Sequence, residues 1–506
     1  MPEISATPAS PAKGLRLAAR SALLWNSLPA AFSLAAQVLQ FAWLARALPP
    51  DAFGSMAIAG IFLWFGQGMA DLGLTLALIQ KPELQKPTIH AAYTASLCFS
   101  IALALSIGAV AFFWGTAFFH SPDLPLLMPW LLPCLPLHAL TMVAQAGLQR
   151  ELRFKVLGLT EAMATLSGLA GAWIGLKVFG DARALALSLL LAGLCRAALA
   201  LTFTPWRLRL YWLWSHLRPL YPFAGYQILE RALNFFVGHL DKIILGRLLG
   251  STALGFYQVA FQLALRPSTL LTPIAQRTAM PLFSRLQNEP NRLGPAFLQA
   301  TRLIAHLAAP IHLIGAALAA PLLRLILGPE WENAVPIFQA LCVLGFLNTA
   351  GQPSDALLPA LGRADASLKL NIAAVIINFT CAWTGSYFGG AGVALALVLG
   401  NLFLLIPYDG YLRRRTLGLG LIPWLAALFR PIAINLSAAG FAYAGSNFIL
   451  QGKPFTTIPA PTALGALALG IGLGLPAWAL LIRLFAGKAW QEFRELWLPQ
   501  SPALDA

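Results

Sequence analysis

The sequence is short of charge. Only 10% of its 506 residues are Asp, Glu, Lys or Arg, 58% are hydrophobic, and the mean hydropathy is +0.71. That excludes an ordinary soluble domain, whose surface needs far more charge. Acids are the scarcest, 19 against 34 Lys and Arg. The resulting net charge of +15 does not signal nucleic acid, because the basic residues are spread over short loops and no nucleic-acid-binding motif accompanies them. Cysteine is sparse too. Cys98, Cys134, Cys195, Cys342 and Cys381 lie in apolar stretches, without metal-ligand spacing, and their odd number gives no disulfide framework. They read as small buried hydrophobes, and neither metal nor cofactor is expected. The chain has no GxxxxGK[ST] loop to cradle a nucleotide and no HExxH pair to hold zinc. Its outer loops are short and nearly free of Asp, Glu and His, so paired carboxylates for acid–base catalysis are missing and an enzyme is not expected.

What the chain does have is apolar runs. Fourteen read as spans, at about 20–47, 53–79, 88–118, 124–148, 156–179, 183–204, 220–248, 252–282, 298–327, 334–361, 366–388, 391–412, 424–450 and 462–486. Pro431 weakens the thirteenth, and almost nothing separates the fifth from the sixth. The expected class is an all-α polytopic membrane protein. Its first residues are polar, rich in Pro, Ala and Ser, and lack a cleavage site after a short apolar core, so they read as a cytoplasmic tail. Flanking Lys and Arg set the orientation. With the N-terminus inside, twenty fall on the cytoplasmic side and six outside, namely Arg46, Lys177, Arg183, Arg247, Arg324 and Lys453. Both termini are therefore expected in the cytoplasm.

The two parts of the chain repeat. Leu44 to Ser55 (LARALPPDAFGS) aligns with Leu245 to Phe256 (LGRLLGSTALGF) at an offset of 201, so Arg46 meets Arg247, Leu48 meets Leu249, Ala52 meets Ala253 and Gly54 meets Gly255. The same offset lays Asn26 on Gln227, Ser33 on Asn234 and Gln40 on Asp241. A parallel repeat of two six-span halves follows. The expected layout is a tail over 1–19, an N-terminal lobe over 20–204, an interfacial linker over 205–219, a C-terminal lobe over 220–412, two additional spans over 424–486, and a tail over 487–506.

Polar residues inside the spans carry the functional signal. Leu220 to Leu249 could cross a bilayer, yet it holds Gln227, Glu230, Arg231, Asn234, Asp241 and Lys242, mostly at helical spacing on one face. A charge near the bilayer centre costs about 2.5–3.5 kcal/mol even on the gentler scale, so such a stripe must face protein or water. Asp71 lies in the second span, Gln258, Gln262 and Arg266 in the eighth, and Arg302 and His306 in the ninth. The plainer readings stay open. Arg302 can snorkel, Arg46 and Arg247 can anchor span ends, and the acids can serve only to neutralise bases, Glu230 with Arg266 and Asp241 with Lys242.

Several stretches carry a family likeness. They are LARALPPDAFGSMAIA, MADLGLTLALIQKPEL, LQRELRF (Leu148 to Phe154), LDKIILGRLLGSTALGFYQVAFQLALRP (Leu240 to Pro267), AMPLFSRLQNEPNRL, LILGPEWENAVPIFQAL and GRADASLKLN. In this order and spacing the chain resembles the polysaccharide-transport (Wzx-type) flippases, colanic-acid-exporter-like branch, of the multidrug/oligosaccharidyl-lipid/polysaccharide exporter superfamily. The resemblance covers most of residues 20–412 and not the last two spans. It implies two six-helix lobes in a V, plus two extra C-terminal helices, working by alternating access. It also implies a secondary transporter in the bacterial inner (plasma) membrane that flips an undecaprenyl-pyrophosphate-linked oligosaccharide from the inner to the outer leaflet, for exopolysaccharide, O-antigen (lipopolysaccharide) or capsule.

On that reading Arg231, Lys242, Arg266 and Arg302 form a cationic cleft for the pyrophosphate. Asn26, Gln37, Gln227, Asn234, Gln258 and Gln262 offer hydrogen bonds to the glycan. Glu230, Asp241 and Asp71 are the candidates for a coupling ion, proton or sodium. The expected partners are the lipid-linked oligosaccharide, the bilayer, and the polymerase and export machinery of the same pathway. The alternatives are a multidrug/toxin exporter, a lipid II flippase, and a polytopic glycosyltransferase or O-antigen ligase. More Arg and Lys than Asp and Glu in spans 7–9 favours an anionic substrate over a cationic drug.

Overall fold

The computed structural model describes residues 32–70, 74–80, 85–206, 209–211, 221–418 and 421–485, together with Pro29; the side chains of 221–230 and 273–278 and a few single ones lie outside the description. Asn26, Asp71 and most of the 205–219 linker therefore fall outside it. Every regular element among the described residues is helical. Among the described residues, ten helices are long and apolar enough to cross a membrane. Phe154–Val178, Tyr221–Leu248 and Gly250–Leu286 have the length but are not among the ten, because they carry more polar or charged residues. The protein is a multi-pass, all-α membrane protein.

Several expected spans are interrupted. The span over 53–79 is a helix at Pro50–Met69 and a short one at Leu74–Gln80. Wide π turns occur at Ala111–Gly115, Pro310–Ile314 and Asn401–Leu405. Pro310 has no backbone N–H to give to the preceding turn, which favours the widening there. The helix Leu421–Leu450, by contrast, runs on through Pro431, and Asn435 Nδ2 donates to the Pro431 carbonyl at 2.7 Å.

The chain forms two compact units, one of residues 1–48 and 58–235, the other of 49–57 and 236–506. One seam falls inside the helix Pro50–Met69 and another inside Tyr221–Leu248. In the first unit, Gly168, Gly171 and Gly175 bring Phe154–Val178 against Arg183–Phe203, and a Cβ on Gly175 would come within 2.5 Å of Ala184 Cα. Small residues give membrane helices this close backbone approach. The turn between them is clasped by Arg183 on Asp181, Nη2 to Oδ2 at 2.7 Å, with Arg183 also over the Phe179 ring at 4.5 Å. Partial burial pushes the Asp181 carboxyl up, but the hydrogen bonds and charge of Arg183 hold it below its ordinary value. In the second unit the helices Leu421–Leu450 and Ala460–Phe485 pack through Ala438, Ala442, Gly470 and Gly474, and Leu318 lies on the same cluster.

The repeat has a physical counterpart in the second unit. A Cβ on Gly54 would overlap the carbonyl of Ser251, and one on Gly255 would overlap the carbonyl of Pro50. Pro50 and Ser251 are themselves equivalent at the offset of 201. Residue and counterpart thus exchange the same contact, the signature of a local two-fold relation. Trp331 is fully buried here, edge-on to Phe53 at 5.4 Å and to Phe256 at 5.7 Å. Gly54→Ala and Gly255→Ala should each lower the melting temperature of the purified protein sharply, by a destabilisation above about 3 kcal/mol. Gly238→Ala, where a Cβ meets nothing within 4 Å, should not. Wild-type melting of both buried-glycine variants would refute the backbone crossing.

Candidate functional site

The polar stripe on Tyr221–Leu248 is not one environment. Asn234 is exposed, whereas Asp241 and Lys242 are 7% and 2% exposed. Neighbours in sequence seldom face each other on a helix. Here the Lys242 stem folds back, and Nζ donates to Gly238 O at 2.9 Å and to Asp241 Oδ1 at 3.3 Å. Tyr257, on the next helix, donates from Oη to Asp241 Oδ2 at 2.5 Å. The ammonium also lies 3.6 Å from the centre of the Phe261 ring. Ion pair, phenol and ring together make a closed cluster.

The other expected cations differ. Arg231 is half-buried, and its Nη1 donates to Gly68 O at 3.1 Å, at the end of the helix Pro50–Met69. The last carbonyls of a helix lack intrahelical partners and carry partial negative charge, so an arginine there acts as a cap. Arg266 is half-buried, and its guanidinium makes no hydrogen bond or ion pair among the described residues. Arg302 is exposed, with a long contact of 3.4 Å from Nε to Leu298 O. Arg231 belongs to the first unit, and Lys242, Arg266 and Arg302 to the second.

Among the amides, Gln37 and Gln262 are half-buried. Gln258 is buried, and its Oε1 has no hydrogen-bond partner among the described residues. Gln227 and Glu230 lie on a described helix, but their side chains are outside the description. His306 is buried at 4% exposure.

The family described as "Polysaccharide biosynthesis protein" matches residues 43–336. The chain belongs to this family. A curated relative, "Lipopolysaccharide biosynthesis protein WzxC" of Escherichia coli (strain K12), is 24% identical over 432 residues, covering 85% of this chain and 87% of that protein. "Succinoglycan biosynthesis transport protein ExoT" of Rhizobium meliloti (strain 1021) is 23% identical, over 87% of this chain and 90% of its own. Among solved structures, "Lipid II flippase MurJ, inward closed conformation" superposes with a TM-score of 0.70 over 92% of this chain and all of that one, at 13% identity. So distant a likeness speaks for the fold alone.

For this family member, sequence reasoning missed three polar groupings. Glu161 and Arg196 form a two-bond ion pair in the first unit. Arg413, in the run of three arginines that closes the twelfth apolar stretch, is fully buried while Arg414 and Arg415 are exposed. Its Nε donates to Asp409 Oδ2 at 3.0 Å, and its guanidinium lies 5.2 and 5.4 Å from the Phe297 and Trp424 rings. The i,i+4 spacing of Asp409 and Arg413 was the readable signal. His312, 1% exposed at a π turn, shares a hydrogen bond of 3.0 Å with Ser268, which accepts from Thr349 at 2.9 Å. No sequence spacing links these three.

The closed cluster generates a test. Lys242→Met leaves Asp241 buried with one partner fewer and should cost about 3–5 kcal/mol. Lys242→Met combined with Asp241→Asn removes both charges and should be more stable than Lys242→Met alone in thermal unfolding. If the double variant is no better than the single, the pair is not a self-neutralising unit.

Proposed function

We propose that this protein is a flippase for an undecaprenyl-pyrophosphate-linked oligosaccharide, moving it from the inner to the outer leaflet of the bacterial inner membrane by alternating access. Both termini are cytoplasmic, the chain forms two six-helix lobes with two additional helices, and the glycan feeds a surface polysaccharide. The observation that carries this reading is Arg266, a half-buried guanidinium in a long helix of a membrane protein, without a hydrogen bond or ion pair among the described residues. A charge left so in a span calls for water or an anionic ligand. A diphosphate provides paired oxygens that an arginine fork takes in bidentate form. Family membership, and relatives named for lipopolysaccharide biosynthesis and succinoglycan transport, support the same substrate class and speak for a transporter rather than an enzyme.

In the second unit Arg302 joins Arg266 as a cation for the substrate, with Gln258 and Gln262 as glycan partners; in the first unit Arg231 is the candidate cation, with Gln37, Asn234, Asn26 and Gln227 as glycan partners. Coupling to proton or sodium falls to Glu230 or Asp71. Asp241 is the weaker choice, since Lys242 and Tyr257 already occupy it.

The test is genetic. Deleting the gene in its host should trap lipid-linked oligosaccharide in the inner leaflet, and the wild-type gene should restore surface glycan. Arg266→Ala and Arg231→Ala should each abolish that restoration at unchanged protein level. Unchanged glycan with heightened drug sensitivity after deletion would move the protein to the multidrug exporters instead. Full complementation by both variants would refute the cationic cleft.

A further inference from the structure

The pair Glu161–Arg196 is built differently from the sealed clusters. Arg196 Nε donates to Glu161 Oε1 at 2.9 Å and Nη2 to Oε2 at 3.0 Å, joining the helices Phe154–Val178 and Arg183–Phe203. Yet the two side chains keep 33% and 44% of their surface, where Lys242 keeps 2%.

On the helix of Glu161 the exposure is not on the apolar stripe. On Phe154–Val178 the exposed large apolar residues are Leu159, Met163, Leu166, Trp173, Ile174 and Val178, mostly at helical spacing, so they form one apolar stripe. Glu161 is two residues from both Leu159 and Met163, about 200° around the helix. It therefore lies on the protein side with the buried Ala164, Gly168 and Ala172. On Arg183–Phe203, Arg196 is seven residues from both Leu189 and Phe203, exposed residues of the same face, so the pair opens onto an exposed face there. A half-exposed ion pair in a membrane span calls for water or an anionic ligand beside it. Arginine has five N–H donors. Glu161 engages Nε and Nη2, and Nη1 makes no hydrogen bond among the described residues.

We propose that Arg196 is an anion-binding residue of the first unit that takes the diphosphate of the lipid-linked substrate, with Glu161 as its counter-ion in the empty state. The inference rests on the flippase reading above. Binding is an exchange without covalent change: two N–H···O bonds to a carboxylate give way to two to phosphoryl oxygens, and the Glu161 carboxylate turns to water. A carboxylate and a phosphoryl group fit the same planar fork. The empty protein avoids a bare guanidinium in the bilayer, and a cation or neutral lipid has no means of displacing Glu161.

The experiment uses the full chain in detergent, with undecaprenyl pyrophosphate as probe and undecaprenol as control. Wild type should bind the diphosphate lipid in preference to the alcohol. Arg196→Ala should bind it about tenfold more weakly or worse, the loss expected for a charge-assisted hydrogen bond. Glu161→Gln should bind it at least as tightly as wild type. Glu161→Gln with Arg196→Met leaves neither charge unpaired, so it should melt near wild type yet bind as weakly as Arg196→Ala. Wild-type binding by that double variant, or equal loss in Glu161→Gln and Arg196→Ala, would reduce the pair to a structural clamp and overturn the inference alone. A wild-type protein that does not distinguish the diphosphate from the alcohol would overturn the flippase reading along with it.

Discussion

A charge inside a bilayer must have a partner, and this protein sorts its charges by the kind of partner they have. Lys242 and Arg413 are sealed, each against one aspartate and aromatic rings, and both are at most 2% exposed. Other arginines cap helix ends. Arg231 reaches Gly68 O, Arg150 reaches Leu78 O, and Arg153 reaches Phe203 O. These carbonyls are left over by helix geometry, so each cap satisfies donor and acceptor at once. The Glu161–Arg196 pair stays open, and Arg266 is half-buried with no such partner among the described residues. Sealed charges contribute to the fold, and open ones can act on a ligand. Charge type alone does not separate the two classes.

The glycine crossing imposes a second constraint of similar strictness. Gly54 and Gly255 each meet the backbone of the other repeat's Pro50 or Ser251 equivalent, so a side chain on either would displace a whole helix. Trp331 fills the space beside it, in contact with Phe53 and Phe256. Three of the stretches that carry the family likeness, LPPDAFG, LLGSTALGF and LGPEW, thus come together in one packed crossing. Those stretches are explained by packing before any transport chemistry is invoked.

The helical class and the family were legible in the sequence, because apolar runs and motif order are one-dimensional patterns. The candidate site was legible only in part. Periodicity placed Asp241 and Lys242 on the same stripe as Asn234, and it correctly demanded protein or water around them. It could not tell which, since burial depends on what the neighbouring helix presents, here Tyr257 and Phe261. Arg196 was visible as a lone base in LLLAGLCRAALAL, but its partner lies 35 residues back on another helix. Arg413 misled because a run of three arginines at a span end reads as a solvated flank, whereas one of them turns inward to Asp409.

The sealed cluster also has a consequence for the open charge on the same helix. Tyr257 is locked to Asp241, and Phe261 lies under the Lys242 ammonium, which fixes the rotation of the helix Gly250–Leu286 at that point. Arg266 lies nine residues past Tyr257, about 13 Å along the axis. Its direction is therefore set by a contact it takes no part in. Arginine suits such a position better than lysine, because its guanidinium is less strongly hydrated and its fork is already planar. Lysine suits the sealed position, where its compact ammonium can be enclosed by one carbonyl, one carboxylate and one ring. The choice of base at positions 242 and 266 thus follows from whether the charge is to be closed off or offered.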